Sequence, residues 1–172
     1  MPRGAKYRKP VVAAVNGLAV GAGMGLALVC DLVLAAEEAR FTCAFGNVGL
    51  VPDTGLSSVL VRTLGHARAY ELATSGRPLD AREALDLGLI NAVVPAGDLA
   101  AEAQARADAL ADGPATAFAL TKRVFRLAAH SPVADVIAAE ADAQGTAARS
   151  PEHAEGVAAF TDKRRPRFTE AH

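Results

Sequence analysis

Cysteine is scarce in this chain. Only Cys30 and Cys43 occur among 172 residues. No C-x-x-C pattern joins them and both lie in apolar runs, so they read as buried thiols in a reducing compartment, not as a disulfide framework. Excess charge of one sign is also missing: 18 Lys and Arg stand against 19 Asp and Glu, a net charge of −1, which argues against nucleic acid as the main partner. The histidines, His66, His130, His153 and the terminal His172, show no metal-ligand spacing. Ser57-Ser58 lacks the G-x-S-x-G elbow of the serine hydrolases. A dinucleotide fingerprint fails as well, because the sixth position counted from Gly21 is Leu26 and from Gly23 is Leu28. No Gly-Lys-Ser/Thr follows, which removes a P-loop. The longest apolar stretch, Leu18 to Leu28, is broken by glycines and stops before Asp31, too short to span a bilayer. No apolar h-region follows the basic start MPRGAKYRKP, so no secretory signal is evident and a cytoplasmic location is expected.

What is present is an ordinary balance of 51% apolar and 22% charged residues. The length fits one domain, which at this size buries roughly 70% of its unfolded surface. Residues 1–10 read as a basic leader. Val11–Val15 is apolar at every position, the pattern of a strand covered on both faces. Asn16-Gly17 marks a turn, Met24–Val29 a helix, and Asp31–Ala35 and Phe41–Phe45 two short strands. From Gly55 the period becomes helical: one helix ends at Gly65, a second spans about 67–74, and Asp80 with Glu83 forms a capping box before a third that closes at Gly88. Ile90–Val94 is a last strand. Asp98 caps a long alanine-rich helix, Gly113-Pro114 starts the next, and Ser131-Pro132 and Ser150-Pro151 open two more with a cap residue followed by a proline in the first turn. The expected fold class is therefore α/β: residues 11–95 form a partial α/β core and residues 96–172 a helical region, without an internal repeat or a low-complexity linker. Strand 11–15 needs pairing partners and few candidates lie downstream, so the chain reads as part of something longer.

Two places in the core suit chemistry. Gly21-Ala22-Gly23-Met24-Gly25 is a turn of little bulk opening a helix. Its first-turn N–H groups have no intrahelical partner and suit a developing oxyanion; tight helix–strand packing explains the same glycines. Asp53, in Leu50-Val51-Pro52-Asp53-Thr54-Gly55, has two readings. It is either the N-cap of the following helix or a general base whose pKa the apolar neighbours Leu50 and Val51 raise by desolvation. The basic cluster Lys163-Arg164-Arg165-Pro166-Arg167 reads either as solvated charge at a helix end or as a grip on phosphates.

The stretches KPVVAAVNGLAVGAGMGLALVCDLVLAAEEARF, GLVPDTG and EGVAAFTDKRRPRF together resemble the crotonase superfamily, the enoyl-CoA hydratases and isomerases, over nearly all of residues 9–169. The likeness is greatest to the branch containing ring-1,2-epoxyphenylacetyl-CoA isomerase. It implies a crotonase-like ββα superhelix followed by a helical trimerisation region, and an acyl-CoA thioester as substrate, with coenzyme A entering only as part of it and no separate cofactor or metal. It also implies a homotrimer or hexamer without nucleic-acid or membrane partners. The resemblance gives Ala22, flanked by Gly21 and Gly23, the role of oxyanion donor. Asp53 becomes the proton-transferring acid of the isomerase turn, and Val20 and Phe45 shape the acyl pocket. Phe160 and Lys163 become candidates for holding CoA. The positions of the two hydratase glutamates are Gly25 and Phe45, so isomerisation is expected over hydration or another crotonase reaction, with a catalytically impaired remnant acting only in oligomerisation as the further alternative. An upstream half carrying the first oxyanion donor and the adenine loop has no counterpart in these residues.

Overall fold

The computed structural model describes residues 7–171, so most of the expected basic leader, and His172, lie outside the described residues. Within them are two compact units, Val11–Ala105 and a second made of Arg106–Ala171 with Tyr7–Pro10.

In the first unit the chain winds through two small sheets. Strand β1 (Val12–Val15) leads at once into β2 (Leu18–Val20), helix α1 (Ala22–Leu28) returns the chain, and β3 (Leu32–Ala36) and β4 (Arg40–Thr42) repeat the step. β3 lies parallel to β1, with Val12 opposite Leu32, and β4 parallel to β2, with Leu18 opposite Arg40. Each turn thus adds one strand to each sheet, the ββα winding expected. After helix α2 (Leu56–Ser75), β5 (Pro78–Asp80) joins β4 antiparallel; after helix α3 (Ala81–Asp86), β6 (Ala92–Val94) joins β3 in parallel. The sheet orders are β1-β3-β6 and β2-β4-β5.

β3, expected as a short buried strand, is buried on both faces; β1, expected to be covered on both, is not so covered among the described residues. Val33 and Ala35 enter the main core with Met24, Phe41, Leu56 and Leu60, while Leu34 and Ala36 meet Leu99 on the other face. β1 is an edge strand of its sheet and Ala14 is exposed, so its apolar run is only half used among the described residues. Polar side chains finish the ladder: Asp31 Oδ2 accepts from the Val11 N–H at 2.7 Å, and Asn91 Oδ1 from the Val33 N–H at 2.7 Å. β2 and β5 were not legible, being three residues each; β5 also contains Pro78 and Asp80, poor strand formers. The strand expected over Phe41–Phe45 ends at Thr42, and a 3₁₀ turn over Ala44–Val48 follows. The break expected at Gly65 is present inside α2, at φ 75° and ψ 165°, a conformation essentially restricted to glycine. Half of the capping box forms. Asp80 accepts from the Glu83 N–H, but the Glu83 carboxylate turns to Arg77 instead of back to the cap.

Helix α4 (Leu99–Ala111) starts in the first unit, where Leu99 packs on Leu34 and Ala36, and ends in the second. The second unit continues with α5 (Ala115–Ala128), α6 (Val133–Ala148) and α7 (Pro151–Thr161). Ser150 caps α7 as expected, accepting from the His153 N–H with Pro151 in the first turn. Ser131 does not cap α6: Pro132 itself is the cap residue, with an extended ψ of 148°, and the helix starts at Val133. α5 also begins after a proline cap, Pro114, which offers no side-chain acceptor. Its Thr116 N–H is served instead by both carboxylate oxygens of Glu152 on α7, at 2.9 and 3.2 Å. Glu152 is 5% exposed, and a buried carboxylate at a helix N-terminus is stabilised by the donor and by the helix dipole.

Candidate functional site

Gly21 is the N-cap of α1, with φ 53° and ψ −118°, a backbone that strongly favours glycine. Its N–H pairs with the Thr42 carbonyl at 2.9 Å, which fixes the turn to β4, and its carbonyl receives the Gly25 N–H at 3.1 Å as the first helical bond. The N–H groups of Ala22 and Gly23 have no hydrogen-bond partner among the described residues, and both residues are exposed. Two orphan donors therefore sit at the start of a helix where the macrodipole favours negative charge. Val20, at the end of β2, is 44% exposed beside this turn.

The segment that faces α1 is the turn at residues 52–55. A Cβ placed on Gly25 would collide with Thr54 Oγ1 and lie 3.1 Å from Thr54 Cβ and 3.5 Å from the Asp53 carbonyl. Glycine at 25 is thus what lets the helix rest against this turn. The Phe45 ring lies on the other side: it is 8% exposed, and its Cε2 and Cζ are 3.8 Å from where a Gly21 Cβ would stand. The turn itself is strained. Thr54, a β-branched residue, has φ 53°, which costs roughly 1–3 kcal/mol and persists only where surrounding structure imposes it. Its hydroxyl donates to the Asp53 carbonyl at 2.8 Å, and that carbonyl also receives the Leu56 N–H at 2.9 Å.

Asp53 does not cap α2. The cap residue is Gly55, with φ 91°, and no side chain bonds to the helix start. The Asp53 carboxylate is exposed and makes no hydrogen bond or ion pair among the described residues. The desolvation expected from Leu50 and Val51 is not found, since they are 62% and 79% exposed and bury nothing around it. The structure brings Phe45 to Gly21 at the start of α1 and rests the Asp53–Thr54 turn on Gly25, within the same helix. Thr54 escaped the sequence reading because its role depends on a left-handed backbone that no composition signal reports.

Phe160 and Lys163 belong to the second unit. Phe160 is 87% exposed on α7 and Lys163 follows the helix with φ 53°. Arg164 and Arg167 of the basic cluster are committed, pairing with Glu155 and Glu170. Lys163 and Arg165 have no ion-pair partner among the described residues. Glu152 and Glu155, two anchoring carboxylates, were not singled out from sequence, since their partners lie 36 and 9 residues away.

Neither thiol forms a disulfide; Cys43 is buried and Cys30 half-buried, and burial pushes the Cys43 thiol up from its ordinary value. Among the described residues no group of three or more His, Cys, Asp and Glu side chains comes together to hold a metal ion. No helix among them is long and apolar enough to cross a membrane.

The chain is similar throughout to known proteins. A family profile described as enoyl-CoA hydratase/isomerase matches residues 4–171. A protein of Rhodobacter capsulatus described as a probable enoyl-CoA hydratase is 45% identical over 160 residues, 93% of this chain and 62% of its own length. The 1,2-epoxyphenylacetyl-CoA isomerase of Escherichia coli K12 is 44% identical over 165 residues, 96% of this chain and 63% of its own. The crystal structure of an enoyl-CoA hydratase from Polaromonas sp. JS666 superposes with a TM-score of 0.90 at 41% identity, covering 94% of this chain and 63% of that one. The chain therefore spans under two thirds of the length of these relatives. With the family matched across the fold and across the turn that carries Asp53, this chain belongs to the enoyl-CoA hydratase/isomerase family, the crotonases.

Proposed function

We propose that this chain carries the proton-transfer apparatus of an acyl-CoA isomerase, moving a double bond along an unsaturated acyl-CoA. The observation that carries this reading is the state of Asp53: exposed, without a hydrogen-bond or ion-pair partner among the described residues, on a strained turn packed against the helix that presents the Ala22 N–H. Asp53 is spent on neither the cap of α2 nor an ion pair among the described residues. In this reading the thioester oxygen accepts from Ala22, with Gly21 and Gly23 leaving room for its approach. Asp53 takes a proton from the carbon next to the carbonyl or from the 4-carbon, the electron pair moves onto the thioester oxygen, and the enolate is quenched when Asp53 returns the proton at the other carbon. One such oxyanion donor contributes about 3–4 kcal/mol to the transition state, and positioned acid–base transfer about 10²–10⁴-fold in rate.

Two further features favour isomerisation over hydration. The positions that the crotonase resemblance assigns to the water-handling glutamates are Gly25 and Phe45; the first has no room for a side chain and the second is an apolar wall under the turn. Val20 and Phe45 then bound the acyl group. Coenzyme A enters as part of the substrate, gripped in part by Phe160 and Lys163, and the reaction calls for no metal or redox cofactor. Self-association as a trimer or hexamer is part of the proposal, supported by exposed apolar residues on the helical unit: Phe125 at 71%, Val133 at 74% and Ile137 at 59%. So is a cytoplasmic setting, in which the two thiols stay reduced. An aromatic substrate of phenylacetate breakdown is one acyl group consistent with the Escherichia coli relative.

Hydration remains the second reading, favoured by the hydratase name of the Rhodobacter relative. Incubation of the chain with a 3-enoyl-CoA, followed by mass spectrometry, separates the two. Isomerisation leaves the mass unchanged and gives the conjugated 2-enoyl product, whereas hydration adds one water.

A further inference from the structure

The turn that carries Asp53 is seated on one face of α1 at two points. At the first, Thr54 Oγ1 occupies the place a Gly25 side chain would take, and the Asp53 carbonyl lies 3.5 Å from the same point. At the second, Val29 Cγ1 lies 3.3 Å from where a Gly55 Cβ would stand. Ala22, Gly25 and Val29 follow one another at helical spacing, so they share one face of the helix, the face that begins with the unpartnered Ala22 N–H. A helical Cβ leans toward the N-terminus, so the spot filled by the Thr54 hydroxyl is on the Ala22 side of Gly25. From Gly25 to Ala22 is about 4.5 Å along the helix axis. Around Asp53 the backbone is pinned. The Asp53 carbonyl accepts from the Thr54 hydroxyl at 2.8 Å and from the Leu56 N–H at 2.9 Å, and the Pro52 carbonyl accepts from the Ser57 hydroxyl at 3.3 Å. The Asp53 side chain is the part left without a bond among the described residues. Thr54 holds its place under strain: a φ of 53° is unfavourable for a β-branched residue, whereas glycine, present next to it as Gly55 with φ 91°, takes such a backbone freely. Local conformation alone would favour glycine at both positions. What glycine lacks is the hydroxyl and the bulk that wedge the turn against Gly25.

We propose that Thr54 is a positioning residue: wedged between Gly25 and the Asp53 carbonyl, it sets where the Asp53 carboxylate stands along α1 relative to the Ala22 N–H. This rests on the reading of Asp53 as the proton carrier, but it concerns the place of the carboxylate and not its chemistry. The test compares the full chain with Thr54→Gly, which removes the wedge, and with Thr54→Ser, which keeps the hydroxyl. In isomerisation of a 3-enoyl-CoA, Thr54→Gly is expected to lower kcat about tenfold with KM changed by less than about twofold, and Thr54→Ser to restore most of the rate. An unchanged kcat in Thr54→Gly, a loss carried by KM, or a Ser variant as slow as the Gly variant would overturn the proposal. A second measurement needs no turnover. The Ala22 amide resonance is read with Asp53 and with Asp53→Asn in each of the three chains. Loss of the charge is expected to displace that resonance in the unsubstituted and Thr54→Ser chains, and several-fold less in Thr54→Gly. No displacement in the unsubstituted chain, or the same displacement in all three, would also overturn it. If the displacements follow this pattern in a chain that turns over no 3-enoyl-CoA, the isomerase reading fails and the positioning stands.

Discussion

Among the described residues two places hold a non-glycine residue in the left-handed region, Thr54 in the turn at residues 52–55 and Lys163 at the exit of α7, and they use carboxylates in opposite ways. At the first, Asp53 makes no bond among the described residues, and the turn is fixed through backbone carbonyls and a threonine hydroxyl. At the second, Glu155 is saturated by the Arg164 fork and the Arg167 amide, and a neighbouring cation, Lys163, has no ion-pair partner among the described residues. Strain of roughly 1–3 kcal/mol at each place is tolerated where it presents a charged group. In one the anion is presented and the backbone holds; in the other an anion holds and the cation is presented.

The comparison is broken first at Gly25. Gly25→Ala is expected to destabilise the chain by about 1–3 kcal/mol, because the new methyl meets Thr54. In a Thr54→Gly background the same substitution is expected to change sign and stabilise, since alanine exceeds glycine in a helix by up to about 1 kcal/mol once the collision is gone. Urea denaturation of the four proteins reads both numbers. A Gly25→Ala effect that is the same in both backgrounds would mean that the turn does not rest on α1 in this way.

The second unit offers a milder effect of the same origin. Lys163→Gly removes the left-handed strain and is expected to stabilise by about 1 kcal/mol, measured by denaturation. Loss of stability would show that Lys163 makes a contact worth more than its strain. The smallest effect is the response to acid of the Glu155 clamp on Arg164 and Arg167. The folded-state value of Glu155 is depressed from 4.5 to about 2, so its contribution is fully present above about 4.5 and is lost as the pH falls through about 2. The Arg167 amide resonance is expected to hold its position from pH 7 to pH 4 and to move only near pH 2. A midpoint near 4.5 would place that carboxylate outside the clamp. Arg164, Arg167, Asp162 and Glu170 are the charged groups around it, and the arginines keep their protons throughout this range.

Much of this was readable from residues alone, for identifiable reasons. The glycine run, the helix of the Leu56 face, the break at Gly65 and the cap at Ser150 depend on local chemistry, which neighbouring residues reveal. The edge position of β1 does not, because β1 and β3 are both apolar throughout and pairing order is a long-range property. The three-residue strands β2 and β5 carry too few positions for a period to appear. At the site, Asp53 was found with two roles open, and the bond that the cap role needs is absent. The desolvation assigned to Leu50 and Val51 failed because apolar neighbours in sequence need not be buried in space. Thr54, Glu152 and Glu155 escaped because left-handed geometry, a cap lent from another helix and a clamp across a helix end leave no composition trace.

The most direct test of the account is deuterium uptake during turnover, with Asp53 intact and with Asp53→Asn. In D₂O the intact chain is expected to convert a 3-enoyl-CoA to its 2-enoyl isomer with label entering at a migrating position and no water added. Asp53→Asn is expected to slow both processes by about 10²–10⁴-fold while leaving the denaturation midpoint where it was. Label uptake and isomerisation at the full rate in Asp53→Asn would contradict the claim that this side chain carries the proton.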